Sequence, residues 1–213
     1  YIGSQRHGII ADTALHPFQE FTTHILMQNI FRGKLIRLRG IEAFDWEHFH
    51  VWNNDTESAR RSWFIPPPVS SDFVRKWAEE QSLAGPKGDE YRFAIETIGT
   101  NETPEQLVGT LNTHSCDPRC GTFKYGIAIR QEAWRKGYAS EAIRLILSYY
   151  FSELRYQKCN VHVYEFNTGS IKLHESLGFQ HEGRLRRMIF SEGRYWDEFV
   201  LGITREEFEG KRG

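Results

Sequence analysis

Cysteine, a charge excess of either sign and long apolar runs are all scarce in this chain of 213 residues. The three cysteines, Cys116, Cys120 and Cys159, cannot all pair within one chain, which argues against a secreted disulfide framework and fits a reducing compartment. His114, Cys116 and Cys120 lie close in sequence but offer only three ligands, with no second Cys-x-x-Cys or His pair, so no metal is expected. Formal net charge is −1, which leaves no broad basic field and argues against nucleic acid as a partner. No apolar run is long enough to span a bilayer, and the first residues lack the basic-then-apolar order of a signal peptide. The expectation is a cytoplasmic protein with no membrane partner, acting as a monomer or homodimer.

Hydrophobic residues make up 39% of the sequence and aromatics 14%, enough to build a core along most of the length. One domain is expected over 31–213, preceded by an N-terminal extension, residues 1–30, with a helix near Pro17 to Asn29. Lys34 to Arg39 alternates apolar with basic residues, the pattern of a half-buried strand, and Glu42 to Asn53 reads as an amphipathic helix. Pro66-Pro-Pro68 stops any continuation. Ser70-Ser-Asp72 then offers a cap for a helix that carries Phe73, Val74 and Trp77 on one face through about Gln81.

Strand-like runs follow at Tyr91–Ile98, Gln106–Thr113 and Thr122–Arg130, separated by short turn-forming breaks that suit an antiparallel meander. From Ala139 the apolar spacing changes to that of a helix packed on a sheet. Asn160–Asn167 is the next strand and Thr168–Leu177 the next helix. Two closing strands, Gly178–Phe190 and Tyr195–Ile203, flank Gly193.

Chemistry concentrates at two places. A strand that ends at Arg130, followed by Trp134-Arg135-Lys136-Gly137-Tyr138-Ala139 and a long helix, directs free backbone N–H groups at whatever sits before that helix. Gly137 permits close backbone approach, Ala139 and Ser140 keep the first turn open, and Arg135 and Lys136 add charge suited to phosphate. An ordinary basic loop and helix start would read the same way. The second place is Asn167-Thr-Gly-Ser170-Ile-Lys-Leu-His174, ahead of Gly178-Phe179 and Glu182-Gly183.

Together these two segments resemble the GNAT superfamily of acetyl-CoA-dependent N-acyltransferases, in particular the branch of ribosomal-protein N-terminal and spermidine acetyltransferases. The resemblance runs from about Leu35 to Phe208 and is strongest over Tyr125 to Asp197. The family's pyrophosphate loop corresponds to Trp134–Ala139, its helix motif to Asn167, Ser170 and His174, and Arg194-Tyr-Trp-Asp197 is similar to the branch's closing strand. The resemblance implies an α/β (α+β) fold: a mixed, mostly antiparallel sheet flanked by helices, with one splayed parallel strand pair. It implies acetyl-CoA as cosubstrate, its pantetheine laid along the backbone of Ile127, Ala128 and Ile129 up to Arg130. It also implies direct attack by an amine acceptor, a protein N-terminus, a polyamine or another small amine.

The family usually has Tyr where this chain has His174, so His174 is expected either to protonate the departing thiolate or to pack against the cofactor. Asn167 is expected to hold the pantetheine amide or to cap the helix. Glu96, His114 and Glu132 are candidates for the base that deprotonates the amine, with Glu96 put forward first. Glu42, Asp45, Glu47, Asp55 and Glu57 could form an acidic wall for a polyamine, or could be a solvated helix face. A CoA-binding regulatory module without turnover is the alternative function, with the change to His174 as the trace of lost activity.

Overall fold

The computed structural model describes residues 29–62 and 65–211. The helix expected from Pro17 lies outside the described residues, apart from Asn29. Strand β1, Ile36–Arg39, buries Ile36 and Leu38 and turns Arg37 and Arg39 outward, as the alternation requires. The expected helix over Glu42–Asn53 is instead a 3-10 turn, Ala43–Asp45, running into a short helix α1, Trp46–Trp52. A second short helix, α2 (Thr56–Ser62), had no apolar stripe to reveal it, and none of its residues is buried. Helix α3, Ser71–Leu83, begins where Ser70 Oγ accepts from the Phe73 amide at 3.2 Å. Its buried face is Val74 and Ala78 with Trp77 beside them, whereas Phe73, expected on that face, is exposed.

Seven strands form one sheet in the order β1-β2-β3-β4-β5-β7-β6. They are β2 (Arg92–Thr97), β3 (Leu107–Asp117), β4 (Thr122–Ile129), β5 (Lys158–Tyr164), β6 (Gln180–Ser191) and β7 (Arg194–Thr204). All neighbours are antiparallel except β4 and β5. β3 runs four residues beyond the expected Thr113, because an irregularity between His114 and Asp117 lets it keep pairing as far as Thr122. The β6–β7 turn places Glu192 and Gly193 both at positive φ, the geometry that a two-residue hairpin of native twist favours.

The parallel pair is joined by helix α4, Tyr138–Ser152, whose stripe of Ala142, Ile143, Ile146, Leu147, Tyr150 and Phe151 is fully buried. Each such large apolar side chain contributes about 1.5–3 kcal/mol, which holds α4 against Phe123, Tyr125, Val161 and Ile203 of the sheet. Helix α5, Thr168–Leu177, adds Leu177 to the same core and ends at Gly178, whose φ of 104° lets the Phe179 amide reach back to the His174 carbonyl at 3.0 Å. A smaller cluster of Ile41, Phe49, Val74, Ala78, Ala94 and Leu107 packs α1 and α3 against the sheet. Helix α6, Arg205–Gly210, closes the described chain behind a capping box of Thr204 and Glu207.

Candidate active site

The sheet opens at its parallel seam. β4 and β5 pair only through Thr122 with Lys158, Phe123 with Cys159 and Lys124 with Asn160. Beyond that point β5 stays registered with β7 as far as Tyr164, while β4 stays registered with β3 through Ile129. Tyr125 to Ile129 therefore face β5 across a gap, and an extended ligand could pair with that edge as a sheet strand would. One acceptor is already taken: the Ile129 carbonyl receives the Trp134 indole N–H at 2.6 Å.

Two lobes of one cleft flank the gap. The first, about 440 Å³, is lined by Ile127, Ala128 and Ile129, by Trp134, Arg135 and Gly137, and by the first turn of α4 and the start of α5. Gly137 is the N-cap of α4 with φ of 84°, a conformation that favours glycine, and no side chain caps the helix. The N–H groups of Tyr138, Ala139 and Ser140 thus have the free, convergent arrangement that suits a diphosphate. A Cβ on Gly137 would lie 3.2 Å from Leu35 Cδ1 and would crowd this cradle. Nearby, the Glu141 carboxylate accepts the backbone amides of Lys34, Leu35 and Ile36 at 2.7–2.9 Å, fixing β1 against the start of α4. The uncapped amides and Arg135 suit the diphosphate of acetyl-CoA in donor pattern and charge.

Asn167 caps α5, its Oδ1 accepting from the Ser170 amide at 3.2 Å, while its Nδ2 donates to the Arg61 carbonyl at 3.1 Å. That second bond draws the end of α2 over the gap, so that Arg61 and Ser62 line both lobes. Arg61 also lies over the Trp134 ring at 5.2 Å.

The second lobe, about 330 Å³, receives groups from both faces of the sheet. On the face covered by α4 and α5 stand Tyr125 and His174, both nearly fully buried. His174 Nδ1 lies 2.7 Å from the Ser170 carbonyl and Nε2 lies 2.8 Å from the Tyr125 hydroxyl. Burial pushes the imidazole pKa down, against the smaller opposing effect of the Ser170 carbonyl, so the ring is neutral at pH 7. Burial likewise holds the Tyr125 hydroxyl well above its usual pKa.

On the other face, strand alternation sets Lys124 and His162 opposite Tyr125 and the buried Val161 and Val163. His162 Nδ1 is 3.0 Å from Glu198 Oε2, and its Nε2 is 3.2 Å from Lys124 Nζ. The carboxylate can only accept, so Nδ1 carries the proton and the Nε2 lone pair accepts from the Lys124 ammonium. His114, across the β3–β4 ladder from Lys124, completes this wall, and burial with the nearby Lys124 charge lowers its pKa.

Of the expected residues, His174, His114, Ile127, Asn167 and Ser170 line the second lobe. The first lobe holds Ala128, Ile129, Trp134, Arg135, Gly137, Tyr138, Ala139 and Ser140, and shares Ile127, Asn167 and Ser170. Arg130, Lys136, Glu132 and Glu96 line neither. Arg130 turns back to Gln106 Oε1 at 2.9 Å, and Lys136 and Glu132 are exposed. Glu96 is a correction: its carboxylate is held by Arg37 at 2.5 Å and Arg39 at 2.9 Å on the outward face of β1 and β2. A carboxylate bound by two guanidiniums is a poor proton acceptor, and Glu96 lines neither lobe.

The acidic wall is also absent from the cleft among the described residues. Asp45 is buried on Arg39, Glu42 forms a capping box with Asp45, Asp55 caps α2 through Ser58, Glu57 pairs with Arg61, and Glu47 lies in the first turn of α1. Sequence reasoning missed Lys124, Tyr125, His162, Glu198 and Arg61. The alternation Asn160-Val-His-Val-Tyr164 is a signal that sets His162 apart from Val161 and Val163, but its meeting with Glu198 depends on β7 pairing with β5, which no local pattern encodes.

Comparisons with known proteins give the family. Residues 36–180 match the family model described as an acetyltransferase (GNAT) domain. An SPbeta prophage-derived uncharacterized N-acetyltransferase of Bacillus subtilis (strain 168) is 40% identical over 181 residues, 85% of this chain and 96% of that protein. Spermidine N(1)-acetyltransferase of Escherichia coli (strain K12) is 28% identical, over 81% of this chain and 88% of its own. The crystal structure of spermidine N-acetyltransferase from Vibrio cholerae in complex with CoA and spermine superposes with a TM-score of 0.67 at 26% identity, covering 82% of this chain and 98% of that one. With an anion cradle, a split parallel pair and a match over most of its length, the chain belongs to the GNAT family and is an N-acetyltransferase.

Proposed function

We propose that the protein transfers the acetyl group of acetyl-CoA directly to a small primary amine in a ternary complex. The observation that carries this reading is the pair of proton-handling dyads, Tyr125–His174 and His162–Glu198, on opposite faces of the sheet at the point where β4 and β5 part. Acetyl-CoA supplies the activated acyl group. Tyr138, Ala139 and Ser140 amides with Arg135 hold its diphosphate, and the free edge of β4 aligns its pantetheine. The chain's contribution to rate is chiefly positioning, since no protein nucleophile is needed.

The acceptor reaches the second lobe as an ammonium ion. Once the Lys124 ammonium turns away from Nε2, His162 takes one of the acceptor's protons there, and Glu198 stabilises the imidazolium that results. On the other face the Tyr125 hydroxyl, whose proton goes to His174 Nε2 here, is the group assigned to protonate the departing sulfur, and it must turn from His174 to do so. His174 is neutral, so it acts through Tyr125 rather than as the acid itself. The similarity to spermidine acetyltransferases supports a small amine as acceptor.

Release of free CoA from acetyl-CoA, followed with a thiol reagent over a panel of primary amines, tests the proposal. Amine-dependent release is the expected result. Tight CoA binding with no release across the panel would instead favour a regulatory CoA-binding module.

A further inference from the structure

The charge of the acceptor lobe points away from a polyamine. Its ionisable lining is Arg61, His114, Lys124, His162 and His174, with Glu198 as the only carboxylate among the described residues. Glu198 faces the two cations Arg61 and Lys124, and its Oε2 already accepts from His162 Nδ1. Lys124 Nζ carries three donors, and only one is used, on His162 Nε2 at 3.2 Å. Every acidic residue of the early segment that could have formed a polycation site is engaged elsewhere or stands outside the lobe.

We propose that the acceptor is a primary amine that also carries an anionic group, a carboxylate or a phosphate, and that Lys124 receives that group. This rests on the acetyl-transfer reading of the cleft and gives it a substrate class. The anionic end draws the Lys124 ammonium away from His162 Nε2, and the amine end lies at the lone pair so released, where its proton is removed. A polyamine would set two or more ammonium groups against Lys124 and Arg61 with Glu198 as the single lining carboxylate among the described residues, and the like charges would repel. A molecule with one ammonium and one anionic group meets both charges of the lobe with the opposite sign.

The test compares matched acceptors that differ in the charge of the far end: γ-aminobutyrate, O-phosphoethanolamine, n-butylamine, putrescine and spermidine. With the full chain and saturating acetyl-CoA, kcat/KM for the better anionic probe should exceed that for n-butylamine and for putrescine by about tenfold or more. Lys124→Glu should lower the anionic value by about tenfold or more and raise putrescine relative to it, while Lys124→Arg keeps the native order. The two anionic probes distinguish carboxylate from phosphate. Higher kcat/KM for putrescine or spermidine in the native protein overturns the inference, as does an order that Lys124→Glu leaves unmoved. If no amine is acetylated, the transfer reading fails; calorimetric affinities of the same amines for the CoA-loaded protein then still decide the charge preference.

Discussion

His174 Nε2 lies 2.8 Å from the Tyr125 hydroxyl, and this contact changes the role that the histidine can have. Its Nδ1 faces the Ser170 carbonyl, which can only accept, so Nδ1 bears the proton and Nε2 accepts from Tyr125. Tyr125→Phe would leave Nε2 buried without a donor. We expect a loss of about 1–3 kcal/mol of stability in chemical denaturation and a fall in kcat of about 10²-fold, with acetyl-CoA affinity within a few-fold. Native kcat in a folded Tyr125→Phe protein would reduce the pair to packing.

The same burial gives a pH signature. The folded pKa of His174 is depressed below its unfolded value of about 6.5, so the unfolded state binds more protons as pH falls past that point. The stability linked to His174 is therefore fully present above about pH 6.5 and is lost as pH falls through the folded pKa. His114 is depressed in the same direction and contributes too, so the native curve alone does not isolate His174. Thermal unfolding from pH 7 down to 5 should show a steeper decline for the native protein than for His174→Tyr. Equal slopes would mean that His174 is not held neutral by burial.

Much of the fold was legible because its signals are local. The α4 stripe, the Asn167 and Ser70 caps and the alternation of β1 each follow from side chains within a few turns or residues of one another. Gly137 was legible for the same reason, since its left-handed φ is a property of one residue. What was missed depends on long-range register: Lys124 meets His162 across a parallel crossover, and Glu198 reaches His162 only because β7 inserts between β5 and β6. Helix α2 was missed because it has no buried face and is tied over the gap through the Arg61 carbonyl. Glu96 was misread because its partners, Arg37 and Arg39, lie more than fifty residues earlier.

That ion-pair network makes Glu96 a test of the revised site. Glu96→Gln removes the charge that Arg37 and Arg39 share, and leaves two part-buried guanidiniums short of an acceptor. We expect destabilisation of about 1–3 kcal/mol and a kcat at saturating substrates within about twofold of native. A large fall in kcat without loss of stability would return Glu96 to the chemistry.

Gly137→Val should separate cofactor binding from folding. The new side chain would meet Leu35 Cδ1 and sit in a left-handed conformation, which costs about 1–2 kcal/mol. It would also stand in front of the first-turn amides of α4. We expect the Kd for acetyl-CoA to rise by tenfold or more, and the cofactor-induced rise in Tm seen with the native protein to shrink. Unchanged affinity in a folded variant would remove the diphosphate from this loop.

The sharpest expectation concerns His162, because its geometry assigns a direction to the proton. Glu198 fixes Nδ1–H, so the single lone pair on Nε2 is directed at the Lys124 ammonium and becomes the base when Lys124 turns to the substrate. His162→Ala removes that lone pair from a partly exposed position on β5, where Val161 and Val163 continue to hold the strand. Stability should change little, while kcat/KM for the amine falls by about 10²-fold and acetyl-CoA affinity stays within a few-fold. Added imidazole should restore part of the rate in His162→Ala, since a small base can occupy the vacated space beside Glu198, and it should do nothing for the native enzyme. Glu198→Gln should lower the rate less than His162→Ala, because it weakens the orientation of the ring without removing the base. If His162→Ala turned over at the native rate with chemistry limiting, the amine would lose its proton to water, and the Lys124–His162–Glu198 chain would act only in shaping the charge of the lobe.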